Sequence, residues 1–227
     1  MKLHDCIDDD FKAWIEKQHV FFVATAPLSG NGHVNLSPKG YDALRIIDDK
    51  TICYRDLAGS GNETSAHIAE NGRLTFMFCA FEGAPRILRL YGKGEILLPD
   101  HPKFNTYLSK HYQNDMKPGT RQIVVNHVDR VQTSCGYAVP FMDFKEDRTT
   151  LCNFFEKKGG EGSVDYMREK TPRTSIDDIP TPQGTKFNKE EGVVNKGGSP
   201  AIWKMVAALV LLLSVAIPVA YGAAGSI

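Results

Sequence analysis

The segment ICYRDLAGSGNETSAHIAENGR, from Ile52 to Arg73, contains three successive structural signals. It begins with an apolar run of strand composition, continues through the glycine-rich turn at residues 59–61, and ends with a run of helical composition. Gly72 follows the helical run, where glycine is suited to the left-handed position that ends many helices. The segment therefore predicts a strand, a tight turn and a helix over residues 62–71 in immediate succession.

Short runs of strand composition lie on both sides of this segment, separated by Gly, Pro and Asn. The six predicted strands are VFFVATA (20–26), HVNLS (33–37), TICYR (51–55), RLTFMFCAF (73–81), RILRLYG (86–92) and RQIVVNHVDRV (121–131). Further helices are predicted over residues 10–18, 101–112 and 149–158, the last ending at Gly159. We therefore expect a mainly β (α+β) fold, a six-stranded antiparallel barrel with peripheral helices.

Composition narrows the functional class. The chain has 227 residues, 42% hydrophobic and 24% charged, which is enough for one sizeable core. Twenty-seven basic residues balance 27 acidic ones, so no basic surface for nucleic acid is expected. The five cysteines include no C-x-x-C pair and the histidines no metal-ligand spacing, so we expect reduced thiols and no metal site.

The C-terminal part predicts a membrane anchor. Residues 1–160 form the predicted folded domain, residues 161–200 a polar flexible linker, and residues 201–223 a transmembrane helix. Its apolar centre, Met205 to Tyr221, spans about 26 Å as a helix. Lysines precede this stretch and no apolar leader opens the chain, so we expect a tail anchor with the soluble domain in the cytosol. A buried core helix is the alternative.

Four segments carry a resemblance to a known family. VNLSPKGYD (34–42), ICYRDLAGSGNETSAHIAENGR (52–73), MFCAFEGAPRILRLYGKG (77–94) and SCGYAVPF (134–141) resemble the pyridoxamine 5′-phosphate oxidase-like family of FMN-binding split barrels. The resemblance covers most of residues 8 to about 180. It implies a split barrel, bound FMN, a homodimer with two FMN sites across the subunit interface, and a flavin-dependent oxidoreductase acting on a small molecule.

The resemblance also implies which residues bind the cofactor. A glycine-rich turn that enters a helix offers backbone N–H groups to a phosphate. Lys39 matches a lysine that reaches the flavin or its phosphate, and Arg55 matches a position beside the flavin ring. Strand alternation places Arg86 and Arg89 on opposite faces, and Arg89 is expected to face the ligand. The predicted cofactor-binding residues are Ser37, Lys39, Tyr54, Arg55, Asp56, Ser60, Asn62, Thr64 and Arg89, and no catalytic side chain is assigned.

Structural alternatives exist for several of these residues. Asn62 could be an ordinary N-cap residue, and Lys39 could be a solvated surface lysine. Arg55 could form a surface ion pair with Asp56 or with another acid. The same fold also allows a flavin- or haem-binding sensor or scaffold at the membrane that turns nothing over. These alternatives remain open at the level of the sequence.

The chain departs from the better-known members of the family at three places. Val34 stands where they carry an arginine, and Asn62-Glu63-Thr64 replaces a basic S-R-K segment. Phosphate binding must then depend on hydroxyls, backbone N–H groups and Lys39 or Arg55. The C-terminal arginine and histidine pattern that holds pyridoxal phosphate is missing from the sequence, so pyridoxamine phosphate is not the expected substrate.

Overall fold

An antiparallel sheet with helices at its periphery forms the fold. The structure, a computed structural model, describes residues 1–193, and within that range it has eight strands and five helices. The strands are β1 (Lys2–His4), β2 (Phe21–Thr25), β3 (Asn35–Lys39), β4 (Leu44–Ile46), β5 (Thr51–Leu57), β6 (Arg73–Cys79), β7 (Ile87–Leu97) and β8 (Thr120–Ser134). The helices are α1 (Asp9–Ile15), α2 (Glu63–Asn71), α3 (Phe104–His111), α4 (Thr150–Lys170) and α5 (Pro182–Glu190).

The strand order leaves the sheet open. Seven strands follow the path β3-β2-β6-β7-β8-β5-β4, and β1 pairs with β8 as the eighth. The sheet therefore ends at β3 and β4, as in a half-barrel, and residues 40–43 connect these two edge strands along the chain. All six predicted strands are present, but the predicted count of six is wrong. Strands β1 and β4 have only three residues each, too few to show an alternating pattern.

Aromatic side chains fill the centre of the core. Strand β2 alternates buried and partly exposed residues, and its Phe21 contacts Tyr54, Phe76 and Phe78 with ring centroids 5.6 to 5.8 Å apart. Burying a side chain of this size contributes about 1.5–3 kcal/mol. These ring contacts hold β2 against β5 across the core. Strand β5 contains several of the predicted site residues.

Two helix ends follow from the residues that form them. The carboxylate of Asp8 accepts a hydrogen bond from the backbone N–H of Phe11 at 2.8 Å and so caps α1. Gly72 adopts φ +72° and ends α2, as the sequence predicts, because glycine takes this left-handed conformation without strain. Helix α2 therefore begins just after the glycine-rich turn and ends at Asn71, before Gly72.

The C-terminal part of the described chain differs from the predicted linker. The first segment of α4 ends at Gly159, as predicted, because the backbone leaves helical geometry there at φ +70°, and a second helical segment follows across this kink. Phe155, Met167 and Phe187 are buried, and one compact unit extends from Met1 to Phe187. The prediction of a flexible linker over residues 161–200 is therefore wrong for its helical part. Apolar side chains are sparse there, and while Met167 and Phe187 pack into the fold, Val164 and Ile176 remain exposed.

The predicted transmembrane helix, residues 201–223, lies outside the described residues. Among residues 1–193, no helix has both the length and the apolar character needed to cross a bilayer.

Candidate functional site

A cavity of about 530 Å³ lies where the sheet is open. Its walls come from β3, the connection at residues 40–43, the end of β5, the glycine-rich turn before α2, the start of β8, and α4. This volume falls within the range of pockets that hold small ligands and cofactors. Residues 52–73, which form the predicted strand, turn and helix, therefore also supply a large part of the cavity wall.

The buried carboxylate of Asp56 binds three side chains at the cavity. Asp56 accepts a hydrogen bond from Lys39 at 2.9 Å on one oxygen, and from Arg121 at 2.7 Å and Gln122 at 2.9 Å on the other. Burial alone would raise the pKa of Asp56, but the charges and hydrogen bonds of Arg121 and Lys39 hold that pKa well below its usual value. Asp56 is therefore an ionised carboxylate with three donors.

The two cations bound to Asp56 also shape the cavity. The Lys39 ammonium lies 5.3 Å from the centre of the Tyr54 ring, and its side chain keeps 23% exposure. Arg121 donates a second hydrogen bond, 2.8 Å long, to the carbonyl oxygen of Gly61. Lys39 and Arg121 together exceed the charge of Asp56 by one, so the positive charge is concentrated at this point beside the glycine-rich turn. The lining as a whole balances, with four basic residues (Lys39, Arg55, Lys117 and Arg121) and four acidic ones (Asp42, Asp56, Glu63 and Asp147).

The N-terminus of α2 opens onto the same cavity. Gly59, Gly61 and Thr64 line it, and Asn62 forms no side-chain hydrogen bond that caps the helix. The first backbone N–H groups of a helix have no partner within the helix, and the helix dipole favours an anion beside them. Glu63 lines the cavity as well, and its carboxylate accepts a hydrogen bond from the backbone N–H of Ile176 at 3.0 Å.

Tyr54 brings a buried hydroxyl without a partner to the cavity wall. Tyr54 is 1% exposed, and within residues 1–193 its hydroxyl oxygen has no hydrogen bond of good geometry, although the Thr64 hydroxyl lies close enough to oppose part of the rise in its pKa. Burial raises the pKa of Tyr54 well above its usual value, so the phenol stays protonated and able to donate. An unpaired buried hydroxyl is costly, and a polar ligand atom in the cavity would satisfy it.

Asn35 positions two hydroxyls that line the cavity. Its amide nitrogen donates to Thr64 at 3.0 Å and to Thr25 at 3.1 Å, and its carbonyl oxygen accepts from Ser37 at 2.8 Å. Thr25 in turn lies 2.9 Å from Nδ1 of the buried His67. The Ser37 and Thr64 hydroxyls are thus held in place by a network that the sequence does not indicate.

The structure brings six of the nine predicted site residues to the cavity. Those that line it are Ser37, Lys39, Tyr54, Arg55, Asp56 and Thr64. Arg55 is not paired with Asp56, because its guanidinium donates to the backbone carbonyl of Asp115 at 2.6 Å and stacks over Tyr112 at 5.0 Å. Of the ion pairs considered for Arg55, the one with Asp56 is therefore wrong, but Arg55 does pair with another acid, since its guanidinium lies 3.4 Å from the carboxylate of Asp115. Lys39 is not a solvated lysine either.

The structure does not bring Ser60, Asn62 and Arg89 to this cavity. Ser60 lies on the outside of the glycine-rich turn, and the side chain of Asn62 donates at 3.5 Å to the carbonyl oxygen of Pro172. Arg89 donates to Ser134 at 3.1 Å on the neighbouring strand. Arg86, the alternative to Arg89, lines a second cavity instead.

Sequence reasoning missed Arg121 and Gln122. Both follow from strand pairing, since Asp56 and Gln122 are direct partners across β5 and β8. Arg121 lies 65 residues from Asp56, and nothing in the local pattern links the two. Leu151 and Cys152 of α4 were missed as well, although they line the cavity.

A comparison with family models decides the identity of the fold. The model described as Pyridoxamine 5′-phosphate oxidase matches residues 7–135, more than half of the chain. The chain belongs to this family. The family match and the open antiparallel sheet together support a split barrel of the flavin-binding type.

One curated relative is similar in sequence. It is the pyridoxamine 5′-phosphate oxidase family protein ustO of Aspergillus flavus, 35% identical over 149 residues, which cover 65% of this chain. The match spans 59% of the length of that relative. The similarity is therefore to a part of it.

Solved structures with a similar fold include two bacterial proteins. HupZ of Group A Streptococcus is 23% identical, with a TM-score of 0.46, over 60% of this chain and 99% of its own. An FMN-binding protein from Syntrophomonas wolfei is 18% identical, with a TM-score of 0.37, over 54% of this chain and 92% of its own. Similarities of this size carry no inference about ligand or activity.

Proposed function

We propose that the chain binds FMN in the cavity beside Asp56 and acts as a flavin-dependent oxidoreductase on a small molecule. The observation that carries the proposal is the convergence of Lys39 and Arg121 on one buried carboxylate, beside the uncapped N-terminus of α2. Family membership supports the same cofactor. The residues present fit a ligand with an anionic end and polar edges.

The phosphate would lie at the N-terminus of α2. There the backbone N–H groups of the first turn, the Thr64 hydroxyl and the net positive charge of Lys39 and Arg121 with Asp56 all favour an anion. This set takes the place of the arginine and the S-R-K segment that the chain lacks. Asp56 cancels part of the positive charge of Lys39 and Arg121, so these cations alone attract the phosphate only weakly. We therefore expect FMN affinity to depend also on the backbone N–H groups of α2 and on the Thr64 hydroxyl.

The other walls would hold the flavin ring. The protonated Tyr54 hydroxyl is a donor for a polar edge, and the buried Arg55 guanidinium lies near enough to line the same space. Bound FMN supplies two-electron redox chemistry, while the protein binds, orients and tunes it. The buried residues of the cavity floor exclude water from one side of the site.

The experiment is to reconstitute the full chain with FMN and record its visible spectrum. A flavin spectrum that bleaches with dithionite under anaerobic conditions, and returns when an electron acceptor is added, supports the proposal. A Soret band in the purified protein would instead support a haem-binding protein. A colourless protein that takes up no FMN would show that the proposal is wrong.

We also propose that the chain forms a homodimer through the edge of its sheet. Next to the edge strand β3 and within it, Val34 is 74% exposed and Leu36 is 60% exposed. Apolar side chains on an unpaired edge are typical of a subunit contact. Light scattering should give a dimer, and Leu36→Asp should shift it to monomer. Leu28→Asp, at a loop residue 65% exposed, is the matched control and should leave the dimer intact.

Membrane attachment is a further proposal and concerns residues 201–223. Full-length protein expressed in a eukaryotic cell should stay in the membrane pellet after carbonate extraction. The sequons at Asn35 and Asn62 test the orientation, because a cytosolic domain keeps both asparagines unmodified. A glycan on either asparagine, or release by carbonate, would contradict this topology.

A further inference from the structure

A second cavity of about 800 Å³ adjoins the first. Pro38, Lys39, Gly40, Tyr41 and Asp147 line both cavities. The two spaces therefore meet at the end of β3 and at the segment before α4. A ligand in the second cavity would lie beside whatever occupies the first.

Aromatic and apolar side chains form the walls of the second cavity. Trp14, Phe81, Met142 and Phe144 line it, and Phe144 stacks on His19 with centroids 3.7 Å apart and planes 6° from parallel. Flat, rigid walls of this kind favour a flat aromatic ligand.

Backbone hydrogen bonds fix the segment that carries two of these side chains. The N–H of Met142 donates to the carbonyl oxygen of Phe81 at 3.0 Å, and the N–H of Phe144 donates to the carboxylate of Glu82 at 3.2 Å. The wall is thereby held in position before a ligand arrives. A wall already in position reduces the entropy that binding must overcome.

The charges around the second cavity balance. Its lining holds four basic residues, Lys17, Lys39, Arg86 and Arg148, and four acidic residues, Glu82, Asp143, Glu146 and Asp147. Lys39 is bound to Asp56, and Arg86 is bound to Asp10 at 2.9 Å while it lies 5.5 Å over the Trp14 ring. No excess of either sign selects an ion, so the lining favours a neutral molecule.

We infer that the second cavity binds a neutral, planar aromatic molecule, such as a quinone, next to the FMN site. As a substrate site the inference rests on the proposed function, because only a neighbouring flavin would give this ligand a reaction partner. As a binding site it stands on the cavity alone. The two claims therefore need separate measurements.

Fluorescence of Trp14 measures binding directly. The chain has two tryptophans, so full-length Trp203→Phe protein reports on Trp14 alone. The probe is 2,3-dimethyl-1,4-naphthoquinone, a neutral quinone in which methyl groups block both quinone-ring carbons to which a thiol could add. We expect saturable quenching at micromolar concentration. The anionic anthraquinone-2-sulfonate should bind at least tenfold more weakly.

Three variants locate the site. Ala84→Phe places a ring in the cavity and should weaken quinone binding at least tenfold, while FMN affinity stays unchanged. Phe144→Ala removes a wall and should weaken binding about fivefold. Phe141→Ala is the matched control, since Phe141 is 83% exposed and is not part of the lining, and it should change nothing.

The outcomes separate the two claims. FMN binding without saturable quenching would overturn this inference and leave the proposed function standing. Quenching without FMN binding would support the aromatic site and show that the proposed function is wrong. Equal binding of the anionic probe, no effect of Ala84→Phe, or a loss of dimer in Phe144→Ala would overturn the inference, the last by assigning the wall to a subunit contact.

Discussion

The Nε atom of Arg121 lies 2.7 Å from a carboxylate oxygen of Asp56, and the two side chains are only 5% and 3% exposed. The same guanidinium binds the carbonyl oxygen of Gly61, so one residue of β8 joins β5 to the glycine-rich turn. Buried ion pairs are costly to break, because removing one partner leaves the other charge uncompensated. This contact therefore couples the stability of the fold to the shape of the site.

Replacing the buried carboxylate should destabilise the protein. We expect Asp56→Asn to lower the free energy of unfolding at pH 7 by about 3 kcal/mol, because Arg121 and Lys39 lose their counter-charge. Asp42→Asn, which removes a carboxylate that is 75% exposed and paired with Arg45, should cost below about 1 kcal/mol. Urea denaturation of both variants checks this, and equal losses would contradict the account.

The effect of Asp56→Asn should depend on pH. The folded pKa of Asp56 is lowered from 3.8, so the stabilisation by its ionised form is fully present above about pH 5. It is lost as the pH falls through the lowered folded pKa. The difference in unfolding free energy between wild type and Asp56→Asn should therefore shrink below about pH 4, and a difference that stays constant down to pH 2 would refute the ionised state of Asp56.

Removing the Lys39 ammonium should weaken FMN binding. Lys39→Ala deletes one cation and leaves Arg121 alone to offset the charge of Asp56, so we expect affinity to fall about 10- to 100-fold, or about 1.4–2.8 kcal/mol. Lys50→Ala, at an exposed turn, is the matched control and should bind FMN as the wild type does. Titration by quenching of FMN fluorescence distinguishes the two variants, and unchanged affinity in Lys39→Ala would exclude the proposed role.

The C-terminal helices should contribute to stability. Phe155 of α4 is completely buried and packs with Ala58 and Met167, whereas its neighbour Phe154 is 38% exposed. We expect Phe155→Ala to cost about 3–5 kcal/mol and Phe154→Ala much less. Thermal unfolding of the two variants measures this. Equal and small losses would mean that α4 is loosely attached, as a linker would be.

Gly119 offers an independent test of the same packing. Its φ is +82°, and a Cβ atom there would overlap the Phe155 ring. Gly119→Ala should therefore destabilise the protein by about 1 kcal/mol from the backbone conformation and by a further amount from the overlap. In a Phe155→Ala background only the backbone part should remain. A double-mutant cycle without coupling would contradict the contact.

The sequence predicted local structure well and long-range pairing poorly. All six predicted strands and the helix ended by Gly72 are confirmed, because each has a clear alternation or end signal. The three-residue strands β1 and β4 have no such signal. Helix α5 was taken as linker because only Phe187 provides an apolar anchor in a polar stretch.

The site residues show the same contrast between local patterns, which the sequence reveals, and long-range pairing, which it does not. Lys39, Tyr54 and Asp56 could be named because they lie in segments that resemble a known family. Arg121 could not, since its role comes from pairing of β5 with β8 and from no local motif. Arg89 does not line this cavity, because alternation predicts which strand face a side chain takes but does not show which cavity lies on that face.

The most direct test of the central claim compares FMN with riboflavin. Full-length protein is titrated with each, and flavin fluorescence is followed to saturation. If the phosphate lies at the N-terminus of α2 beside Lys39 and Arg121, FMN should saturate at one per chain and riboflavin should bind at least tenfold more weakly, a loss of about 1.4 kcal/mol or more. Equal affinity for the two flavins, or no saturable FMN binding, would contradict the claim.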